Sequence, residues 1–255
     1  MPHPYLYRAC PANNAFIMSA SENAPPGNAK PQLGESNAKQ GLAAPGLAPT
    51  DPSAPPLGWY SRWYLPHYNN RDTLQSVTFR LADALPQSKL REIEEELLDV
   101  ETGKADAERR KRIERWLDSG MGCCALGHPA MASLMQDTLL QWHGERYRLF
   151  AWCIMPNHVH VMIETKIALS KIVQSWKSFT GRWAMENNAE LGLGVPGKAL
   201  WMRDYWDRYI RDGEHFDNVR SYIERNPVAA KLCQQPADWP WSSAAGTAEP
   251  PAGKR

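Results

Sequence analysis

The chain has 255 residues, a formal net charge of +1, 43 % hydrophobic residues and 22 % charged residues. That is length for one large domain or two small ones, with enough apolar content for a sizeable core. Such a balance excludes a protein that grips nucleic acid through a uniformly basic surface, but not one that uses a local basic groove.

No apolar run reaches the length of a membrane span, and the start lacks the basic-then-apolar pattern of a secretory signal. The five cysteines, Cys10, Cys123, Cys124, Cys153 and Cys233, are odd in number and match neither a zinc spacing nor a disulfide framework. A reduced, cytoplasmic protein is the expectation.

Residues 19–56 are rich in Ala, Pro, Gly, Asn and Ser and poor in large apolar side chains. Such a stretch buries too little surface to offset its ordering entropy, so residues 1–56 are expected to be a disordered extension. The folded domain is placed at 57–247, with a flexible tail at 248–255.

From Thr73 to Leu81 the β-branched and aromatic content predicts a strand. Pro86 then opens a helix with Leu90, Ile93, Leu97 and Leu98 at helical spacing. A charged segment from Lys104 to Arg112 leads into a second helix ending near Leu117, and Gly120 and Gly122 break it. Met131–Trp142 predicts an amphipathic helix. Glu145–Ile154 reads as a strand in which Tyr147, Leu149 and Ala151 share one side. A turn at Met155-Pro156-Asn157 joins it to a second strand at His158–Glu164, making a hairpin.

Leu169–Asn188 predicts a helix with Ile172, Trp176, Phe179 and Trp183 on one face. Leu200–Arg211 holds a strand, and His215–Arg225 a helix that Asn226-Pro227 bends or interrupts. Strand, helical region, hairpin, helix, strand and helix in this order predict an α/β class fold, an α+β sandwich of the ferredoxin-like, RRM-like kind with an antiparallel sheet and a helical insert. The fold by itself argues nothing about chemistry.

Two residue pairs carry chemistry. His158 and His160 lie two apart on a predicted strand, so both imidazoles face the same side and can reach one metal ion. Tyr222 and Asn226 lie four apart on a predicted helix and share a face; the amide oxygen of Asn226 would be a third ligand beside the Tyr222 hydroxyl. Taken singly, each pair is more often ordinary packing than a site.

The residues around both pairs change that balance. Met155-Pro156-Asn157-His158-Val159-His160-Val161 resembles the metal-binding strand of the HUH nucleases, in which U is a hydrophobic residue. Tyr222-Ile223-Glu224-Arg225-Asn226-Pro227-Val228 resembles the nucleophile helix of the REP-associated tyrosine transposases, and Trp239-Pro240-Trp241-Ser242-Ser243 is similar to the segment that follows it there. Tyr64-Leu65-Pro66-His67-Tyr68, Trp176-Lys177-Ser178-Phe179-Thr180 and Arg208-Tyr209-Ile210-Arg211-Asp212 are also similar to that family. The resemblance spans residues 59–243. The long N-terminal extension and the helical insert around 86–120 depart from it; they cast no doubt on the expected site and bear instead on the DNA contacts.

The resemblance implies an HUH fold and a metal-dependent single-strand DNA endonuclease and strand transferase. Tyr222 would be the nucleophile, forming a 5′-phosphotyrosine link and a free 3′-hydroxyl. His158, His160 and Asn226 would hold Mg²⁺ or Mn²⁺. A tyrosine hydroxyl has a pKa of about 10 in water, so Tyr222 needs nearby positive charge or a base.

The implied partners are single-stranded or hairpin DNA with REP-like palindromes, handled by a monomer or homodimer without a membrane, in a nucleoid-associated cytoplasmic setting. Lys171, Lys177, Arg182, Arg203, Arg208 and Arg211 are candidate phosphate contacts; Tyr64 and His67 are candidates for holding DNA ends. The tryptophans could stack on unpaired bases, although packing is the commoner use of each. Two rivals stay open: a domesticated regulator that binds hairpin DNA without cutting it, and an unrelated metallohydrolase built on the two histidines.

Overall fold

The structure is a computed structural model that describes residues 58–246, apart from 62–65, 70–71, 99, 101 and 198. The expectations for the N-terminal extension, the C-terminal tail and Tyr64 lie outside the described residues.

Two short strands, β1 (Gly58–Ser61) and β2 (Pro66–Asn69), pair antiparallel. The main sheet then begins with β3 (Thr73–Arg80). Helices α1 (Gln87–Glu96), α2 (Thr102–Asp118) and α3 (Pro129–Leu140) follow. The hairpin of β4 (Tyr147–Ile154) and β5 (His158–Thr165) comes next, then α4 (Leu169–Leu191), β6 (Trp206–Tyr209) and α5 (Gly213–Ala229).

The main sheet runs β4-β5-β3-β6, antiparallel throughout. In chain order these are its second, third, first and fourth strands, the arrangement of a split βαββαβ sandwich. The expected class and the insert between the first two strands are therefore present.

Strand alternation divides the molecule into two faces. Val159, Val161 and Ile163 of β5 pack with Ile172 and Trp176 of α4 and with Met135 and Leu139 of α3 in the larger core. Met162 points the other way, into a smaller cluster with Ile223 of α5. His158 and His160 have the same parity as Met162, which puts them on the α5 face.

The alternation expected in β4 fails at one point. A bulge interrupts the β4–β5 register between Leu149 and Ala151. One extra residue reverses the parity of all that follow. Tyr147 and Leu149 face the larger core, and so do Trp152 and Ile154, while Ala151 and Cys153 join the α5 side. Cys153 thereby sits across from His160.

The insert is built as a helical hairpin. Ile93 and Leu97 meet Ile113 and Leu117 in the core. Leu98, expected on the same stripe, is instead 80 % exposed. Outside, Arg109 bonds Glu94 at 2.6 Å and Arg112 bonds Glu96 at 2.5 Å, so this charged run pairs with α1 as well as facing water. Gly122, at φ +90°, turns the chain after α2 where a Cβ would meet Asp83 at 2.9 Å; Asp83 accepts the Cys123 N–H at 2.6 Å.

Pro227 lies inside α5 rather than ending it. Its missing N–H forfeits one intrahelical bond, but the helix has only two residues left to run and resumes with Ala230 N–H donating to Asn226 O at 3.0 Å. The segment after α5 closes the free edge of β4: Ile154 N–H donates to Trp241 O, and Trp239 Nε1 donates to Ile154 O, each at 2.9 Å.

Candidate active site

The site forms where β5 starts, between α5 and the end of α2. Asn157 organises it. Its side-chain NH₂ donates to the carbonyls of Leu117 and Met121, both at 3.0 Å, at the C-terminal end of α2. Leu117 O also accepts the Gly120 N–H at 3.1 Å as the chain leaves the helix. With the NH₂ committed, Oδ1 must accept, and it takes the Nδ1 hydrogen of His158 at 2.7 Å. One buried amide thus docks the insert and sets the tautomer of the first histidine.

His158 and His160 are both buried. Their Nε2 atoms converge to 2.9 Å, with the rings edge to face. His160 Nδ1 lies 2.8 Å from Thr78 Oγ1 on β3. Burial, and then the neighbouring His160, holds His158 well below the usual imidazole range. Burial pushes His160 down to about 4. Both rings are therefore neutral at neutral pH, the form that ligates metals.

Across from them stands Tyr222, its ring 5.5 Å from that of His160 and nearly perpendicular to it. The residue is 41 % exposed, and its hydroxyl lies in the electrostatic field of Glu114, Asp118 and Asn226. Burial, then the charges of Glu114 and Asp118, hold the hydroxyl above the usual tyrosine range, while Asn226 works in the opposite direction. Asn226 itself is buried, and its Oδ1 has no hydrogen-bond partner among the described residues. A buried amide oxygen without a donor costs free energy; a cation would satisfy it. Two imidazole nitrogens and an amide oxygen suit Mn²⁺ or Mg²⁺.

No group of three or more His, Cys, Asp or Glu side chains among the described residues is arranged to hold a metal ion. A metal here would have to draw on Asn226.

The sequence reading missed Glu114 and Asp118. They lie four apart on α2, and Asp118 Oδ1 is 4.0 Å from His158 Nε2. Burial first, then Glu114, pushes Asp118 up to about 6. The insert thus brings two carboxylates near the histidine pair and the tyrosine. Only the i, i+4 spacing on a predicted helix was visible beforehand, and that spacing is ordinary.

The candidate DNA contacts separate into groups. His67 is 2 % exposed; its ring nitrogens donate to Asp204 at 3.0 Å and Asp207 at 2.5 Å, tying β2 to β6. Burial opposes its charge, but the bonds and charges of the two aspartates outweigh that and raise it to about 9. Lys177 donates to the carbonyls of Met202, Asp204 and Arg203, at 3.0, 2.9 and 3.4 Å. Burial pushes it down to about 7 against the pull of Asp204. Both side chains are thus engaged within the protein, and Lys177 also lines the groove beside α4.

Arg182 and Arg203 are exposed and line a groove with Ser178, Met185 and Trp201 beside α4. Lys171, Arg208 and Arg211 are exposed outside it. The groove belongs to the α4 side of the sheet, whereas Arg208 and Arg211 stand near His215 at the start of α5. Trp176 and Trp201 are buried and donate to Tyr147 Oη and Thr180 Oγ1 at 3.0 and 2.9 Å, which makes them packing residues.

A split βαββαβ sandwich carrying a buried His-x-His pair against a helix-borne Tyr and Asn defines the class of the site. Residues 131–226 match the family model described as "Transposase IS200 like", a segment that contains His158, His160 and Tyr222 and ends on Asn226. The chain is 27 % identical over 106 residues to a Haemophilus influenzae protein named "Putative REP-associated tyrosine transposase", covering 38 % of this chain and 58 % of that one. A second, uncharacterised protein of the same organism is 25 % identical over 105 residues, covering 32 % of this chain and 54 % of its own length. The chain thus spans just over half the length of these curated relatives. A solved REP-associated tyrosine transposase bound to a REP hairpin aligns with 16 % identity and a TM-score of 0.45, over 73 % of this chain and 84 % of that one. Among the described residues no helix is long and apolar enough to cross a membrane.

Proposed function

We propose that this protein nicks and rejoins single-stranded DNA at palindromic, hairpin-forming sequences, as a metal-dependent endonuclease and strand transferase with Tyr222 as nucleophile. One observation carries the reading: the paired Nε2 atoms of His158 and His160, the unpartnered Oδ1 of Asn226 and the hydroxyl of Tyr222 all meet in one place. The transposase match covers those four residues together, and the hairpin substrate is carried over from what the similar solved protein binds.

A divalent cation, Mg²⁺ or Mn²⁺, held by His158, His160 and Asn226 would polarise a phosphate oxygen of the scissile link. Around it, each side chain has a definite task. His158 and His160 stay neutral and present lone pairs because burial keeps protons off them. Asn226 favours the ionised form of the Tyr222 hydroxyl, so it would steady negative charge as it grows there. Tyr222 Oη loses its proton to solvent and forms a bond to phosphorus, while the bond from phosphorus to the 3′ oxygen breaks and that oxygen takes a proton from solvent. The 5′-phosphotyrosine keeps the energy of the phosphodiester, so a 3′-hydroxyl can reverse the step without ATP. Such a protein would work at the nucleoid, as a monomer or homodimer.

The test is a denaturing gel of the full chain with labelled single-stranded palindromic DNA, with Mn²⁺, with EDTA and with Tyr222→Phe. A slow, protease-sensitive band that needs both metal and Tyr222 is expected. Hairpin binding without any such band would replace this reading with a non-cleaving regulator. Cleavage that survives Tyr222→Phe would replace it with a metallohydrolase.

A further inference from the structure

Asp118 is the last residue of α2. A carboxylate there goes against local helix chemistry, because the C-terminal end of a helix already carries partial negative charge. A break with a local rule of this kind points to a task set by the tertiary structure. Asn157 fixes where the residue sits. Its NH₂ bonds the carbonyls of Leu117 and Met121, on either side of Asp118, and the next residue in the chain is His158. Asp118 Oδ1 lies 4.0 Å from His158 Nε2. Asn157 Oδ1 takes the Nδ1 hydrogen of His158 at 2.7 Å, so that Nε2 presents a lone pair. A carboxylate oxygen thus faces a lone pair, and neither gives the other a hydrogen. Independently, Asn226 Oδ1 is buried with no hydrogen-bond partner among the described residues. Electron-rich atoms gathered where the dielectric is low repel one another, and a cation relieves that repulsion.

The three ligands proposed above, His158, His160 and Asn226, are all neutral. A divalent cation among them would keep its whole charge in a buried place, which is costly without an anion beside it. Asp118 is positioned to be that anion. No three His, Cys, Asp or Glu side chains among the described residues are arranged to hold a metal ion directly, so Asp118 does not bond the ion alongside the two histidines. Small divalent cations keep several of their waters when bound, and one such water spans the gap.

We infer that Asp118 is the anionic member of the cation site, accepting a hydrogen bond from a water in the ion's shell and offsetting its charge. The inference rests on the metal-dependent reading proposed above. Asp118 belongs to the insert, outside the segment 131–226 that matches the transposase family model. Its role is to position and hold the ion rather than to touch the DNA. A rival account makes Asp118 a structural residue of the α2 terminus; its replacement would then destabilise the protein whether or not metal is present.

The experiment measures Mn²⁺ binding to the full chain, without DNA, from the free-ion EPR signal near pH 8. Wild type, Asp118→Asn, Asp118→Glu and His160→Ala are compared, and each is melted in EDTA and in Mn²⁺. Asp118→Asn is expected to weaken Mn²⁺ binding about tenfold or more, and Asp118→Glu to recover part of the loss. In EDTA, Asp118→Asn should melt at least as high as wild type, because a carboxylate no longer faces the lone pair of His158. Its gain in melting temperature on adding Mn²⁺ should be the smaller of the two. A Mn²⁺ affinity for Asp118→Asn within a few-fold of wild type, an equal loss in Asp118→Glu, or a loss that comes with lower melting in EDTA overturns the assignment. Wild-type Mn²⁺ binding that His160→Ala leaves unchanged overturns the underlying metal reading instead, so the two failures are distinct.

Discussion

The Nε2 atoms of His158 and His160 lie 2.9 Å apart, a distance at which one nitrogen has to donate a hydrogen to the other. Asn157 holds the hydrogen of His158 on Nδ1, so the shared hydrogen belongs to His160 Nε2, and His160 Nδ1 accepts from the Thr78 hydroxyl. A cation taking both Nε2 lone pairs requires that hydrogen to move to Nδ1, and Thr78 Oγ1 to become an acceptor. Replacing Thr78 by Val removes the acceptor at similar volume. Mn²⁺ affinity, read from the free-ion EPR signal, should fall by about tenfold or more, while hairpin binding in EDTA stays at the wild-type level. Equal Mn²⁺ affinity would show that Thr78 plays no part in the tautomer.

Asn157 spans two structural units with three hydrogen bonds. Asn157→Ala removes a donor from each of two carbonyls, of which Leu117 O keeps the Gly120 N–H, and leaves the His158 Nδ1 hydrogen without a partner in a buried place. The expected loss is about 2 kcal/mol of unfolding free energy, read from denaturant titration. Because the tautomer of His158 is freed by the same change, adduct formation should also slow. Full stability in this variant would mean that α2 is held by its apolar contacts alone.

His67 gives the fold a pH dependence whose sign is fixed. Its folded value is raised to about 9 from an ordinary 6.5. Its stabilisation is therefore fully present below pH 6.5, weakens as pH rises, and is gone above pH 9. The melting-temperature difference between wild type and His67→Gln should be largest near pH 6 and should close by pH 9.5. A constant difference across that range would argue that His67 is not charged between Asp204 and Asp207.

The cations beside α4 separate by function. Arg182→Ala and Arg203→Ala should each weaken hairpin binding and flatten the plot of log affinity against log salt by about 0.7 to 0.9 per lost phosphate contact. Lys177→Met should leave that slope alone and lower the melting temperature, because it strips a donor from three loop carbonyls. An unchanged slope for both arginine variants would take the groove out of the DNA path.

Much of this protein is legible from local pattern. Period-two and helical spacings locate β3, the β4–β5 hairpin and α4 to within a few residues, because strands and helices bury one face and the alternation records which. The i, i+2 and i, i+4 rules place His158 with His160, and Tyr222 with Asn226, since those spacings are set by backbone geometry alone. What local pattern does not contain is which distant segments meet. A single bulge in β4 reverses the parity of Ala151 and Cys153, and it arises from pairing with β5 rather than from anything in β4 itself. The charges of His67 and Lys177 look available in the sequence and are consumed by partners more than twenty residues away. Glu114 and Asp118 are unremarkable acids on a charged helix until Asn157 docks that helix against the histidine strand. The sequence by itself therefore determined the elements and the pairing of His158 with His160 and of Tyr222 with Asn226 on shared faces. The tertiary structure decided which acids stand near the tyrosine and which cations line the groove beside α4, because hydrogen-bond partners and burial are set by contacts between segments far apart in the chain.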